Sequence, residues 1–204
     1  MQGTVIKYTR TIGASAVFGG LSLALAALTA PYLPRVPGWG IAFIDPISII
    51  WITAYLIFGL TTGVVTSLIG TLGLMFFDPF TPIGPTMKFL ATIPIILAFD
   101  LGLRLYKNAP YSGESLKSLK RYIPLSLIGT VFRIVIMTFI NILLFLYIFD
   151  LSYAKINLFG TELSSWNAVI IVAILINAET SLWDCLIPYL ISFSSKVYNI
   201  FRFW

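Results

Sequence analysis

The chain has 204 residues, of which 58% are hydrophobic and only 10% charged, with a mean hydropathy of +0.95. Soluble domains carry about 25% charged residues, so this composition predicts an integral membrane protein with little mass outside the bilayer. The net charge of +5 does not point to nucleic acid, because the basic residues fall in short gaps between apolar runs. In those gaps they read as topology signals and contacts to anionic lipid. Cys185 is the only cysteine and histidine is absent. An intrachain disulfide, a thiolate metal cage and the commonest general base are thereby excluded, and no cofactor is implied.

Lys7 and Arg10 precede an apolar run at 11–33. Ala24-Leu25-Ala26 mimics a signal-cleavage site, but the run is too long for a signal peptide and continues past it. It is expected to be a span. Ala16, Gly20 and Ala24 recur at every fourth position along it, with Gly13, Gly19 and Ala27 nearby. Such a stripe lets a second helix approach closely, inside the bundle or on a partner. The following loop, Pro34 to Gly40, carries Trp39, either an aromatic wall of a pocket or a residue of the interfacial belt.

Between Asp45 and Asp78 lie 32 residues without a formal charge. As one helix they would reach about 48 Å at ~1.5 Å per residue, against a hydrocarbon core of ~30 Å. The alternative is two short spans, near 43–58 and 63–77, about a tight turn in which Gly59 and Gly63 supply positive φ. A second proline-rich loop runs from Asp78 to Pro85. Lys88 opens the fourth span, near 87–106, where it would meet headgroups or an anionic ligand. Asp100 is placed to pair with Arg104 at i,i+4. Ser115 to Tyr122 predicts a short amphipathic helix lying on the cytoplasmic leaflet, as a lipid anchor or a partner contact.

The fifth and sixth spans fall near 123–148 and 166–192. Ionisable groups within spans face a bundle interior or a cavity, and Arg133, Glu179 and Asp184 qualify. An ion pair of Arg133 with Glu179 or Asp184 is the economical arrangement, with Arg133 and Asp184 assigned as the structural pair. Asn141 on the fifth span and Asn177, Glu179 and Thr180 on the sixth exceed what packing requires. Together with Trp39 and Lys88 they are the candidate binding residues, with Trp166 and Trp183 as further aromatic walls.

Charge settles the count of spans. Two spans in 43–77 put Lys7, Arg10, Arg104, Lys107, Lys117, Lys120, Arg121, Lys196 and Arg202 on one side, leaving Arg35, Lys88 and Lys155 opposite. That pattern predicts an all-α polytopic protein of six transmembrane helices with cytoplasmic termini, one domain over 1–204, in the cell membrane. The two short helices are expected to stop below the outer surface, leaving room for a ligand. No phosphate-binding loop and no nucleophile–base pairing is readable, so an enzyme is not expected.

These features resemble the substrate-binding S-component of an energy-coupling-factor (ECF) vitamin transporter. The shared pieces are the small-residue first helix, the proline-bearing first outer loop, the turn Phe58-Gly59-Leu60-Thr61-Thr62-Gly63, Ile44-Asp45-Pro46 and Gly84-Pro85-Thr86-Met87-Lys88-Phe89. The resemblance implies ATP-driven uptake of a vitamin-like small molecule bound from outside. It implies a transmembrane coupling subunit, docked on Ala16, Gly20 and Ala24, and two ATPase subunits. Segment 44–63 looks most like riboflavin-type members. Those carry a lysine three residues after an asparagine on the last helix, where this chain has Asn177 and Thr180. Glu179 instead suits a ligand with a donor or cationic group. A membrane scaffold of the MreD type and an intramembrane lipid-acting enzyme are the competing readings.

Overall fold

The structure, a computed structural model, describes residues 2–29, 32, 46–106, 110–158, 160–201 and 204. Most of the first loop, with Trp39, lies outside the described residues. Helices α1 (Gln2–Thr29), α2 (Pro46–Phe58), α3 (Leu60–Leu74), α4 (Ile83–Leu105), α5 (Leu119–Tyr147) and α6 (Ser165–Tyr189) form a bundle, followed by a short α7 (Val197–Phe201). Among the described residues, four stretches are long and apolar enough to cross a membrane: Tyr8–Thr29, Ile83–Leu105, Leu119–Tyr147 and Ser165–Ser194. With 13 and 15 residues, α2 and α3 are the shorter apolar helices. At ~1.5 Å per residue they reach about 20 and 22 Å, short of a ~30 Å core.

The break between α2 and α3 is a single residue. Gly59 has φ +88°, a conformation that costs an L side chain about 1 kcal/mol or more. Gly63 does not share that role, contrary to the two-glycine turn expected. It lies inside α3, where a Cβ would sit 2.6 Å from Tyr55 Cβ, so its missing side chain lets α3 fold tightly back on α2.

α2 is buried on every side, with 11 of its 13 residues enclosed, which is why its sequence shows no polar face. α1, α3, α4 and α6 all pack on it. Its Ile52, Tyr55 and Leu56 join Ile95, Ile96 and Phe99 of α4, Tyr122 and Leu125 of α5 and Cys185 of α6 in the main core. α5 is the reverse case. Tyr122, Leu125, Gly129, Arg133, Met137 and Asn141 turn inward at helical spacing, while Leu127, Val131, Val135 and Phe139 are exposed. An apolar exposed face of that length suits lipid rather than water.

Two departures from the sequence expectation stand out. The all-α reading omits a hairpin, β1 (Lys155–Leu158) against β2 (Thr161–Ser164), antiparallel with Ile156 opposite Leu163. Gly160 (φ +86°) turns it, and Asn157 Oδ1 accepts from the Gly160 N–H at 3.0 Å. Ile156 and Leu163 pack over Ala168 and Val169 at the start of α6. The amphipathic 115–122 segment is also not a separate surface helix. Gly113–Lys117 is a 3₁₀ turn, residues 119–122 begin α5, and Leu116 is fully buried in the main core.

The bundle therefore has two distinct ends. One carries the hairpin. The other carries the start of α1, the α2–α3 turn and the C-terminal segment. At this second end the Trp204 carbonyl accepts from Gly113 N–H (3.1 Å) and the Tyr198 hydroxyl (2.6 Å), and its indole N–H reaches the Leu56 carbonyl at 3.3 Å. Asp100 accepts from Arg104 Nε at 2.8 Å, the i,i+4 pair read from the sequence, and also from the Tyr111 hydroxyl.

Candidate functional site

Four helices meet at a buried polar cluster. Arg133 of α5 sends Nη1 to Asp184 Oδ2 of α6 at 2.6 Å and Nε to Asn177 Oδ1 at 3.0 Å. The side chains of Arg133 and Asp184 are 8% and 4% exposed, so the pair is shielded from solvent screening. Ser48 of α2 donates to Asp184 Oδ1 at 2.6 Å, and Lys88 Nζ of α4 lies 3.4 Å from Ser48 Oγ. Asn177 Nδ2 donates to the Ala173 carbonyl at 2.8 Å, which fixes its amide with Oδ1 facing Arg133.

This cluster also gives the depth of α2. Ser48 is the third residue of α2, yet it bonds Asp184, 19 positions beyond the start of α6. At ~1.5 Å per residue, the hairpin-end part of α6 runs about 28 Å past the beginning of α2. α2 therefore begins deep in the bundle, and the hairpin-end halves of α5 and α6 stand beyond it.

The candidate binding residues divide into three groups. Lys88 and Asn177 belong to the cluster with Arg133 and Asp184. Thr180 is buried beside them on α6, its hydroxyl donating to the Ile176 carbonyl at 2.7 Å, while Asn141 is buried on α5 and donates to the Met137 carbonyl at 2.7 Å. Glu179 stands apart. Its Oε1 accepts from Trp183 Nε1 at 2.6 Å, and its Oε2 is buried without a hydrogen-bond partner. Arg133 pairs with Asp184, not Glu179, because five residues of helix turn the two carboxylates about 140° apart.

Ser48 escaped the sequence reading. A serine within a helix commonly bonds the carbonyl four residues back, as Ser67 does to Gly63 at 2.8 Å. Ser48, in the first turn of α2, also reaches across to Asp184 on another helix, a contact that helical spacing does not reveal. Thr138 of α5 was also missed, and its hydroxyl is buried without a hydrogen-bond partner. Among the described residues no group of three or more Asp, Glu or Cys side chains could hold a metal ion.

The small-residue stripe on α1 has two sides. Ser15, Gly19, Ser22 and Ala26 face the bundle, with a Gly19 Cβ position only 2.6 Å from Ile69 of α3. Ala16, Gly20 and Ala24 are exposed, and nothing lies within 4 Å of a Cβ at Gly20. Between α1 and α3 runs an open apolar groove of about 290 Å³, lined in part by Ser15, Ala16, Val65 and Ile69. It shares no residue with the polar cluster.

No family model and no curated protein matches the sequence. The backbone matches a solved structure of the S component of a bacterial ECF transporter, with a TM-score of 0.60 and 18% identity. The match covers 95% of this chain and 98% of that one, so the likeness of fold runs over the full length of both.

Proposed function

We propose that this chain is the membrane-embedded substrate-binding subunit of an ECF-type transporter. On this reading it is a single domain of six spans with cytoplasmic termini that binds a vitamin or related small molecule. It delivers that molecule through a transmembrane coupling subunit and two ATPases. The observation that carries the proposal is the fold match over 95% of the chain to an S component. A scaffold or a lipid-acting enzyme has no observation of comparable weight in its favour.

Two local features support the same reading. The polar side chains collect where α5 and α6 run past the beginning of α2, with Lys88, Asn177 and Thr180 at that level. A ligand bound there would be held by Lys88, Asn177 and Thr180, with Asn141 on α5 and Trp39 of the first loop as further contacts, and Glu179, which faces away from the cluster, reached only by a ligand that extends around α6. The exposed stripe Ala16, Gly20 and Ala24 offers a second helix a close approach without displacing any side chain of this chain.

The test is reconstitution. Cells co-expressing the full chain with a coupling subunit and paired ATPases should take up a vitamin in an ATP-dependent manner, and the tagged chain should co-purify with its partners. If the chain assembles with no coupling subunit and confers no uptake of any vitamin, the proposal is wrong.

A further inference from the structure

Arg104 and Arg133 each hold a carboxylate, Asp100 and Asp184 respectively. Lys117, Lys120 and Arg121 have no such partner among the described residues, although they fall within five positions of one another and Glu114 stands only three before them. Packing pins this segment at both ends. Leu116 and Tyr122 are buried in the main core, and the Tyr189 hydroxyl of α6 donates to the Lys117 carbonyl at 2.8 Å. The three side chains between these anchors are left at the surface, Lys117 and Lys120 exposed and Arg121 half-buried. Lys120 and Arg121 also stand in the first turn of α5, where the positive end of the helix dipole disfavours cations. Fixing the topology needs positive charge on this side of the membrane, but not its crowding at a pinned helix start. An anion shared by the three would relieve that crowding.

α5 continues the complement beyond the charges. Ile123, Leu127 and Val131 follow Lys120 at helical spacing and are 52%, 62% and 59% exposed. From Lys120 to Val131 this strip runs about 16 Å at ~1.5 Å per residue, close to one leaflet of a ~30 Å hydrocarbon core. A soluble anion would engage the cations and leave the strip unused, whereas a phospholipid engages both. We infer that Lys117, Lys120 and Arg121 bind the phosphate of an anionic phospholipid in the leaflet at this end of the bundle, with an acyl chain along Ile123, Leu127 and Val131. Such a lipid binds whether or not the chain serves a transporter.

The test uses the full chain purified in detergent and unfolded thermally with added phosphatidylglycerol (anionic) or phosphatidylcholine (zwitterionic). Phosphatidylglycerol should raise the unfolding temperature more, as a ligand of the native state does. The triple variant Lys117→Gln, Lys120→Gln and Arg121→Gln should bind it about a hundredfold more weakly, at roughly fivefold per charge, and should lose the preference. Lys196→Gln removes an exposed cation outside the segment and should keep it. Without lipid, the triple variant should unfold no earlier than the parent chain, since it relieves repulsion. Equal stabilisation by the two lipids overturns the inference, as does a preference that survives the triple substitution. A preference lost equally in Lys196→Gln reports net charge rather than a site and also overturns it. Stabilisation by inorganic phosphate at the same concentration would assign the cations to a soluble anion instead. Early unfolding of the lipid-free triple variant would assign them to the fold, with the same consequence.

Discussion

The α1–α3 unit and the α5–α6 pair are held together by different physics. In α1–α3 the close contacts come from missing side chains. A Cβ would fall 2.6 Å from Ile69 at Gly19, 2.4 Å from Trp51 at Gly70, 2.5 Å from Leu23 at Gly73 and 2.6 Å from Tyr55 at Gly63. The hydroxyls there mostly bond within their own helix or unit, as in Trp51 Nε1 to Ser22 Oγ at 3.1 Å. The α5–α6 pair is joined instead by Arg133, Asn177 and Asp184, and by the Tyr122 hydroxyl on the Cys185 carbonyl at 2.7 Å. Glycine packing is short-ranged and indifferent to charge, which suits a rigid unit that presents a surface. A buried ionic cluster is long-ranged and sensitive to whatever charge enters beside it, which suits a site.

The largest effect should follow from loss of one charge in the α5–α6 cluster. Arg133→Ala leaves Asp184 buried with only Ser48 as donor, and about 3–5 kcal/mol of stability should be lost in detergent unfolding. Replacing both partners, Arg133→Met with Asp184→Leu, should recover most of that loss, because an apolar pair of similar volume carries no desolvation penalty. Ligand binding should stay lost in the double variant. A double variant that is stable and still binds would make the cluster purely structural.

Glycine packing should respond to volume rather than charge. Gly70→Ala drives a methyl into the Trp51 indole, the group that bonds Ser22, and overpacking of this kind costs about 1–3 kcal/mol. Urea or thermal unfolding monitored by tryptophan emission would read it. Removal of the hydrogen bond alone by Ser22→Ala should cost less, about 0.6 kcal/mol, since polar contacts between membrane helices are worth little on average. If Ser22→Ala were the worse of the two, the unit would depend on its hydrogen bonds and not on close approach.

The two sides of the α1 stripe give a smaller and more diagnostic contrast. Gly19→Leu meets Ile69 and should destabilise, whereas Gly20→Leu projects into open space and should change stability by less than about 0.5 kcal/mol. Under the transporter proposal Gly20→Leu should nonetheless abolish co-purification with a coupling subunit while vitamin binding persists. Equal assembly by Gly20→Leu and the parent chain would remove the exposed stripe from the interface.

Much of this was legible because hydropathy and charge act over whole helices. The apolar runs and the break at Gly59 follow from length against bilayer thickness. What failed depended on the angle around a helix or on a single dihedral. The partner of Arg133 was no failure: depth left Glu179 and Asp184 open, and the ion pair formed is with Asp184, the residue assigned from the sequence, with the rotation of about 140° between the two carboxylates as the reason. Gly63 resembled a second turn residue because its use as a contact point for Tyr55 leaves no mark in the sequence. Lys117, Lys120 and Arg121 made 115–122 look like a surface helix, yet Leu116 is drawn fully into the core. The alternation in Lys155-Ile156-Asn157-Leu158 and Glu162-Leu163 does encode the hairpin, in strands of four residues that are short beside any membrane span.

The hairpin end is secured by neither glycine packing nor buried charge, and its stability should carry the weakest pH signal. Asp150, beyond the end of α5, accepts from the Ser152 N–H at 2.8 Å and caps the turn Leu151–Tyr153 that leads into β1. That backbone hydrogen bond, with one from the Ser152 side chain, holds the Asp150 carboxyl below its ordinary range. A lowered folded value means the cap contributes above the unfolded value, about 3.9, and fades as pH falls through the folded one. The protection of the Ser152 amide against hydrogen exchange, relative to the unfolded chain at the same pH, should therefore be flat from neutral pH down to about 4 and fall only below it. Asp150→Asn should retain most of the protection and remove its acid dependence, since asparagine caps as well as aspartate without titrating. Asp150→Ala should lose protection at every pH. An acid dependence that persists in Asp150→Asn would assign it to another carboxylate of the hairpin end, with Glu162 on β2 the first to substitute.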